Sequence, residues 1–135
     1  MMDGFSPRRE NNRQLNVLGS DLEPCKFSET KKYIVTGFYR DNCCNTGPDD
    51  YGLHTVCCII TKDFLKFSKL VGNDLSTPIP EYNFKGLIEG DSWCLCASRW
   101  KEAFEAGNAP KVILKSTNIA TLSIVKLDDL KKYSV

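Results

Sequence analysis

The chain has 135 residues, 41% of them hydrophobic and 26% charged, with a formal net charge of +1. That is the size of one domain, long enough to bury a continuous core. The near-neutral balance excludes the concentrated basic face that nucleic acid demands, since the densest basic runs are only pairs, such as Lys31-Lys32 and Lys131-Lys132.

No stretch is apolar over a membrane-spanning length, and "MMDGFSPRRENNRQLN" at the N-terminus has no secretory apolar run. A cytoplasmic protein with no membrane and no nucleic-acid partner is expected. Residues 1–14 read as a mobile polar tail and residues 15–135 as a single domain.

In chain order, "YIVTGFY" (33–39) is β-branched and aromatic and predicts a strand. "RDNCCNTGPDDYG" (40–52) is rich in Asn, Asp, Gly and Pro and predicts an irregular loop. "LHTVCCII" (53–60) predicts a strand covered on both faces. Thr61 is placed to cap a helix over "KDFLKFSKLV", with Asp63 in its first turn and Gly72 as its stop. "NDLSTPIPEYNFKGLIEGD" is a long loop without periodicity, a kind that is uncommon and often functional.

"SWCLC" predicts a strand and "SRWKEAFEAG" a helix. Ala97, Trp100 and Phe104 form its inner stripe, and Gly107 and Pro110 mark its end. "KVILKS" and "LSIVKL" predict two further strands, and "DDLKKY" a short closing helix with acids leading and lysines trailing. Strands and helices without strict alternation predict an α+β fold. The layers would be a small mixed or antiparallel sheet, two main helices and a short C-terminal one.

The seven cysteines (Cys25, Cys43, Cys44, Cys57, Cys58, Cys94 and Cys96) are odd in number and include two adjacent pairs. In a reducing cytosol they read as thiols, not staples. On a strand, Cys94 and Cys96 share one face and Trp93 and Leu95 the other. Cys96 meets the start of the next helix, whose unpaired amides favour a thiolate, and Arg99 adds positive charge.

His54 is the sole histidine and the natural general base near neutral pH. The candidate catalytic set is therefore Cys96, Cys94, His54 and Cys44. Arg40, Asp41, Arg99, Asn73, Asp74 and Ser76 are candidate binding residues for a small molecule. The competing reading is that buried cysteines pack as small hydrophobes and that the polar loop residues only build turns. Trp93 and Trp100 read as core.

No metal site is assigned. Cys-x-Cys is not a zinc knuckle, and His54 and Cys57 point to opposite strand faces. Only long-range convergence, such as His54 with Cys44 and Cys94, would gather enough ligands. No cofactor and no oligomeric state can be named. A non-catalytic ligand- or protein-binding domain and a structural metal site are the alternatives to a thiol site.

The segments "NVLG" (16–19), "LEPC" (22–25), "TGFYRDNCCNTGPDDYGLHTVC" (36–57), "FLKFSKLVGNDLSTPIPE" (64–81), "GLIEGDSWCLCASRWKEAFEAGNAP" (86–110) and "LDDLKKY" (127–133) are similar to the pattern of the domain of unknown function 2237 family. The resemblance implies a compact α+β domain found in bacteria and some eukaryotes, and no established activity. Its polar motif positions fall here on Arg40, Asp41, Cys44, Thr46, Gly47, His54, Cys57, Asn73, Asp74, Ser76, Cys94, Cys96 and Arg99. Two departures stand out. Asn118 occupies a position after Thr117 where family members often carry His, and the stretch between Cys25 and Thr36 is longer than usual.

Overall fold

A computed structural model describes residues 14–27 and 35–135. Three strands form one antiparallel sheet in the order β2-β1-β3, with β1 at His54–Ile59, β2 at Ser92–Cys96 and β3 at Lys111–Val112. The helices are α1 (Lys62–Leu70), α2 (Ala97–Glu105) and the short α3 (Leu127–Lys132). The α+β expectation holds.

Strand alternation gives the sheet two differently used faces. Val56, Cys58 and Ile60 join Trp93 and Leu95 in the main core, against Phe64 of α1 and Ala97, Trp100 and Ala103 of α2. Trp100 is fully buried, donates its indole N–H to the Pro110 carbonyl at 3.2 Å, and stacks on Phe104. The other face carries Cys57 and Cys94, packed with Cys25 and Cys44 in a second, smaller core beside Phe27 and Ile113.

Both main helices follow their sequence signals. The Thr61 side chain accepts from the Phe64 amide, and Gly72 takes φ +89° just past the end of α1. Gly107, at φ +77°, ends α2.

Three strand expectations need correction. Residues 33 and 34 of the first lie outside the described residues, and 35–39 hold no strand, with 37–39 bending into a turn. Asn42 closes this segment on itself, with its side chain accepting from the Thr36 amide and its own amide donating to the Thr36 carbonyl. Gly37 at φ +97° makes room for Cys43, because an added Cβ would stand 2.5 Å from the Cys43 carbonyl oxygen.

"LSIVKL" is likewise no strand. Asn118 caps a 3-10 helix at Ile119–Ser123, and the amides of Ile124 and Val125 both donate to the Thr121 carbonyl, leaving no ladder to extend. "KVILKS" is extended only at Lys111–Val112 before a 3-10 turn at Leu114–Ser116.

The cysteine expectation is corrected too. Two disulfides join Cys25 to Cys57 and Cys44 to Cys94, and Cys43, Cys58 and Cys96 stand outside them. Their partners are 32 and 50 residues apart in sequence, so the pairing follows from how the loops fold over β1 and β2. Of the polar tail, only Gln14 is described. It is buried, and its side chain bonds both the Thr46 backbone and Asn118.

Candidate functional site

β1 begins with an irregularity. Leu53 holds φ +47°, and the register slips between His54 and Val56, so that His54 pairs with Cys96 while Val56 pairs with Leu95. Such bulges re-aim a side chain at the end of a ladder. Here the slip brings the only imidazole of the chain opposite the sulfur that precedes α2. Directly opposed residues on antiparallel strands stand with Cβ atoms roughly 5 Å apart.

His54 is held from three sides. Its Nδ1 lies 2.6 Å from Oδ1 of Asp50, a carboxylate whose side chain is fully buried. Oδ2 of Asp50 accepts from the Thr46 hydroxyl at 3.0 Å and from the His54 amide at 2.9 Å. The ring stacks on Phe38 with centroids 5.9 Å apart, and it lies over Gly52, where a Cβ would be 2.8 Å from Cε1. An ionised carboxylate only accepts, so Nδ1 carries the proton and, in the neutral ring, Nε2 keeps the lone pair. The His54 side chain remains 41% exposed.

His54 and Cys96 open into a cleft of about 450 Å³, together with Phe38, Arg40, Asn73, Trp93, Cys94 and Arg99. Cys96 is half-buried and occupies the position before α2, where it makes no capping bond with its side chain. Arg99 lies in the first turn of α2 and pairs with Glu102 at 3.2 Å. Arg40, at φ 58°, reaches back to the Gly37 carbonyl and lies over the Trp93 ring at 5.9 Å. Arg40 and Trp93 also border a neighbouring hollow of about 360 Å³ lined by Val35, Tyr82, Asn83, Phe84 and Lys85.

The cleft thus gathers five residues of the candidate set with the chemistry of a thiol, a base, two cations and an amide: Cys96, His54, Arg40, Arg99 and Asn73. Cys94 lines it too, but it is bridged to Cys44, and neither can serve as a thiolate while bridged. Asp41, Asp74 and Ser76 are not among the lining residues. Asp41 accepts from the Cys43 amide and the Asn45 side chain, stabilising its own turn.

Asp74 plays the same part in the "NDLSTP" loop. The Thr77 hydroxyl, then the hydroxyl and amide of Ser76, hold its carboxyl well below the usual carboxylate range. Of the thiols outside the disulfides, Cys58 is sealed in the core, where burial pushes its pKa far up. Asn118 is buried and structural, donating to Gln14 and to the Cys44 carbonyl.

Sequence reasoning missed Asp50. Its signal was there, an acid four residues before the sole histidine across a Gly-containing turn. It was hidden beside Asp49 in a loop whose acids all look like turn builders.

The family model for uncharacterised proteins conserved in bacteria, domain of unknown function 2237, matches residues 15–134. The chain belongs to this family. No curated protein matches it. Among the described residues, the match spans β1–β3 and α1–α3, and it takes in every cysteine of the sequence, so both the cleft and the four-cysteine core lie inside the domain of unknown function 2237 region.

Proposed function

We propose that the cleft is a thiol-dependent site for small-molecule chemistry, with Cys96 as nucleophile and His54 as general base. Asp50 positions the imidazole, and Arg40 and Arg99 attract an anionic group of the substrate. The observation that carries this reading is the register pairing of His54 with Cys96, together with the 2.6 Å contact that fixes the His54 tautomer through buried Asp50. A base fixed by a carboxylate and set opposite a nucleophile is the arrangement by which thiols are activated on unrelated folds.

In the step envisaged, Nε2 takes the Cys96 proton, the thiolate forms a bond to an electrophilic carbon as the bond to that carbon's leaving group breaks, and the imidazolium returns the proton to the departing group. The positive end of α2 and Arg99 favour the negative charge on both partners.

The test is site-resolved alkylation followed by mass spectrometry. Cys96 is expected to react with iodoacetamide faster than Cys43 at pH 7, and His54→Gln is expected to slow Cys96 about 10-fold. A free thiol is only a few per cent ionised at pH 7, which caps the gain near about 30-fold. The anionic reagent iodoacetate should lose more rate than iodoacetamide when Arg99 becomes Ala. A Cys96 rate that ignores His54→Gln would leave the cleft as a binding pocket without thiol catalysis.

A further inference from the structure

Next to the cleft, which Cys94 also lines, the molecule holds a second group of ligating atoms. Cys25, Cys44 and Cys57 are fully buried and Cys94 nearly so, and the four make up one packed cluster. Their arrangement is tighter than two remote disulfides would require. The sulfurs of Cys25, Cys44 and Cys57 all lie within 4.8 Å of one another, and Cys94 is bonded to Cys44.

Cys57 and Cys94 are also direct cross-strand partners, yet each is bonded to a loop cysteine and not to the other. Four separate segments thus deliver one sulfur each to a single point. Long-range convergence of ligands does occur here, but His54 has no part in it, since it bonds Asp50 and faces the cleft.

We propose that this cluster, once reduced, is a tetrathiolate site for one zinc-like ion. Zinc–sulfur distances of about 2.3 Å place the sulfurs of a tetrahedral site about 3.8 Å apart. The sulfurs of Cys25, Cys44 and Cys57 already lie within 4.8 Å of one another, so that spacing calls for opening the two S–S bonds and turning the side chains, not for bringing remote segments together. An all-sulfur donor set selects soft ions such as Zn²⁺ over Mg²⁺ or Ca²⁺.

The chemistry balances with a dithiol reductant. Each protein disulfide takes two electrons and two protons from one dithiol, which leaves as its own disulfide. Zn²⁺ then replaces the protons of the resulting thiols, releasing them to solvent. Either closure ties the same four segments together, so the domain keeps its staple in oxidising and in reducing surroundings. The site is independent of the Cys96 reading.

The test takes the full chain, reduces it with excess dithiol, desalts it without oxygen, and titrates it with Co²⁺ and then Zn²⁺. One Co²⁺ per chain is expected, with the visible absorption of a tetrahedral ion and intense sulfur-to-cobalt charge transfer, and Zn²⁺ should displace it. Cys57→Ser should abolish that spectrum, whereas Cys96→Ser and Cys58→Ser should keep it.

Because Cys57→Ser can also weaken folding, proton release from the reduced wild-type chain gives a second reading, with close to four protons per Zn²⁺ expected near neutral pH. Should reduction unfold the chain, restoration of its circular dichroism by Zn²⁺ supports the site, and failure to restore it overturns the site. Absence of the cobalt spectrum, or a spectrum that survives Cys57→Ser and vanishes with Cys96→Ser, also overturns it.

Discussion

Asp50 accepts three hydrogen bonds while fully enclosed, and two of them come from His54. Asp50→Asn keeps the shape but presents an amide, which can offer a donor to Nδ1 and so favour the opposite tautomer. Cys96 alkylation at pH 7 should then fall about as far as in His54→Gln, capped by the same few-per-cent thiolate argument. Nitrogen chemical shifts of the imidazole should show the tautomer exchange, a readout that a merely loosened loop would not produce. Gly52→Ala makes a finer test. Its Cβ would meet the His54 ring at 2.8 Å, so the ring must move off its seat. Reduced Cys96 reactivity with a melting temperature near that of the wild type is expected. The sequence made His54 and Cys96 visible by their chemistry, but not Asp50 or Gly52, because their roles exist only once the turn is closed.

At the level of elements, legibility followed the source of each segment's hydrogen bonds. The two main helices announce themselves through Thr61, Gly72, Gly107 and a 3.6-residue apolar stripe. β1 and β2 do so through runs of buried side chains. "LSIVKL" has the composition of a strand, yet Asn118 supplies a local cap that composition does not weigh. Trp100 anchors α2 on the sheet, and Trp100→Ala should cost about 3–5 kcal/mol in denaturant unfolding. The 73–77 loop makes a pH prediction. Donors from Thr77 and Ser76 hold the Asp74 carboxyl below its unfolded value. Its contribution to loop order is therefore complete above about pH 4, where a free aspartate titrates, and is lost only as pH falls through the lower folded value. The carboxyl carbon shift of Asp74 should still be that of the ionised form at about pH 3, with the Ser76 amide still bonded. Titration at an ordinary aspartate value would contradict this.

Across the whole molecule, the cysteines were the least legible feature, because their pairing is set by tertiary approach. Adjacent Cys43 and Cys44 look alike in sequence, yet only Cys44 faces the sheet and bonds Cys94. Cys25 ties the N-terminal segment to β1, and Cys44 ties to β2 the loop that carries Phe38, Arg40 and Asp50. Closing loops with 32- and 50-residue separations removes unfolded-state entropy equivalent to about 4 kcal/mol each. The two loops overlap over residues 44–57, so their joint effect is smaller than the sum. Cys25→Ser with Cys57→Ser should therefore lower the melting temperature by roughly 10–15 °C, at about 4 °C per kcal/mol for a chain of this size. The second bridge, though, lies nearer the cleft. Opening Cys44–Cys94 frees the loop that seats His54, so Cys44→Ser with Cys94→Ser should also slow Cys96 alkylation, whereas the first double variant should leave it close to wild type. Thermal melts and alkylation rates measured on both variants separate the two effects. Equal losses of Cys96 reactivity in both would mean that the cleft depends on overall stability and not on the loop that this bridge secures.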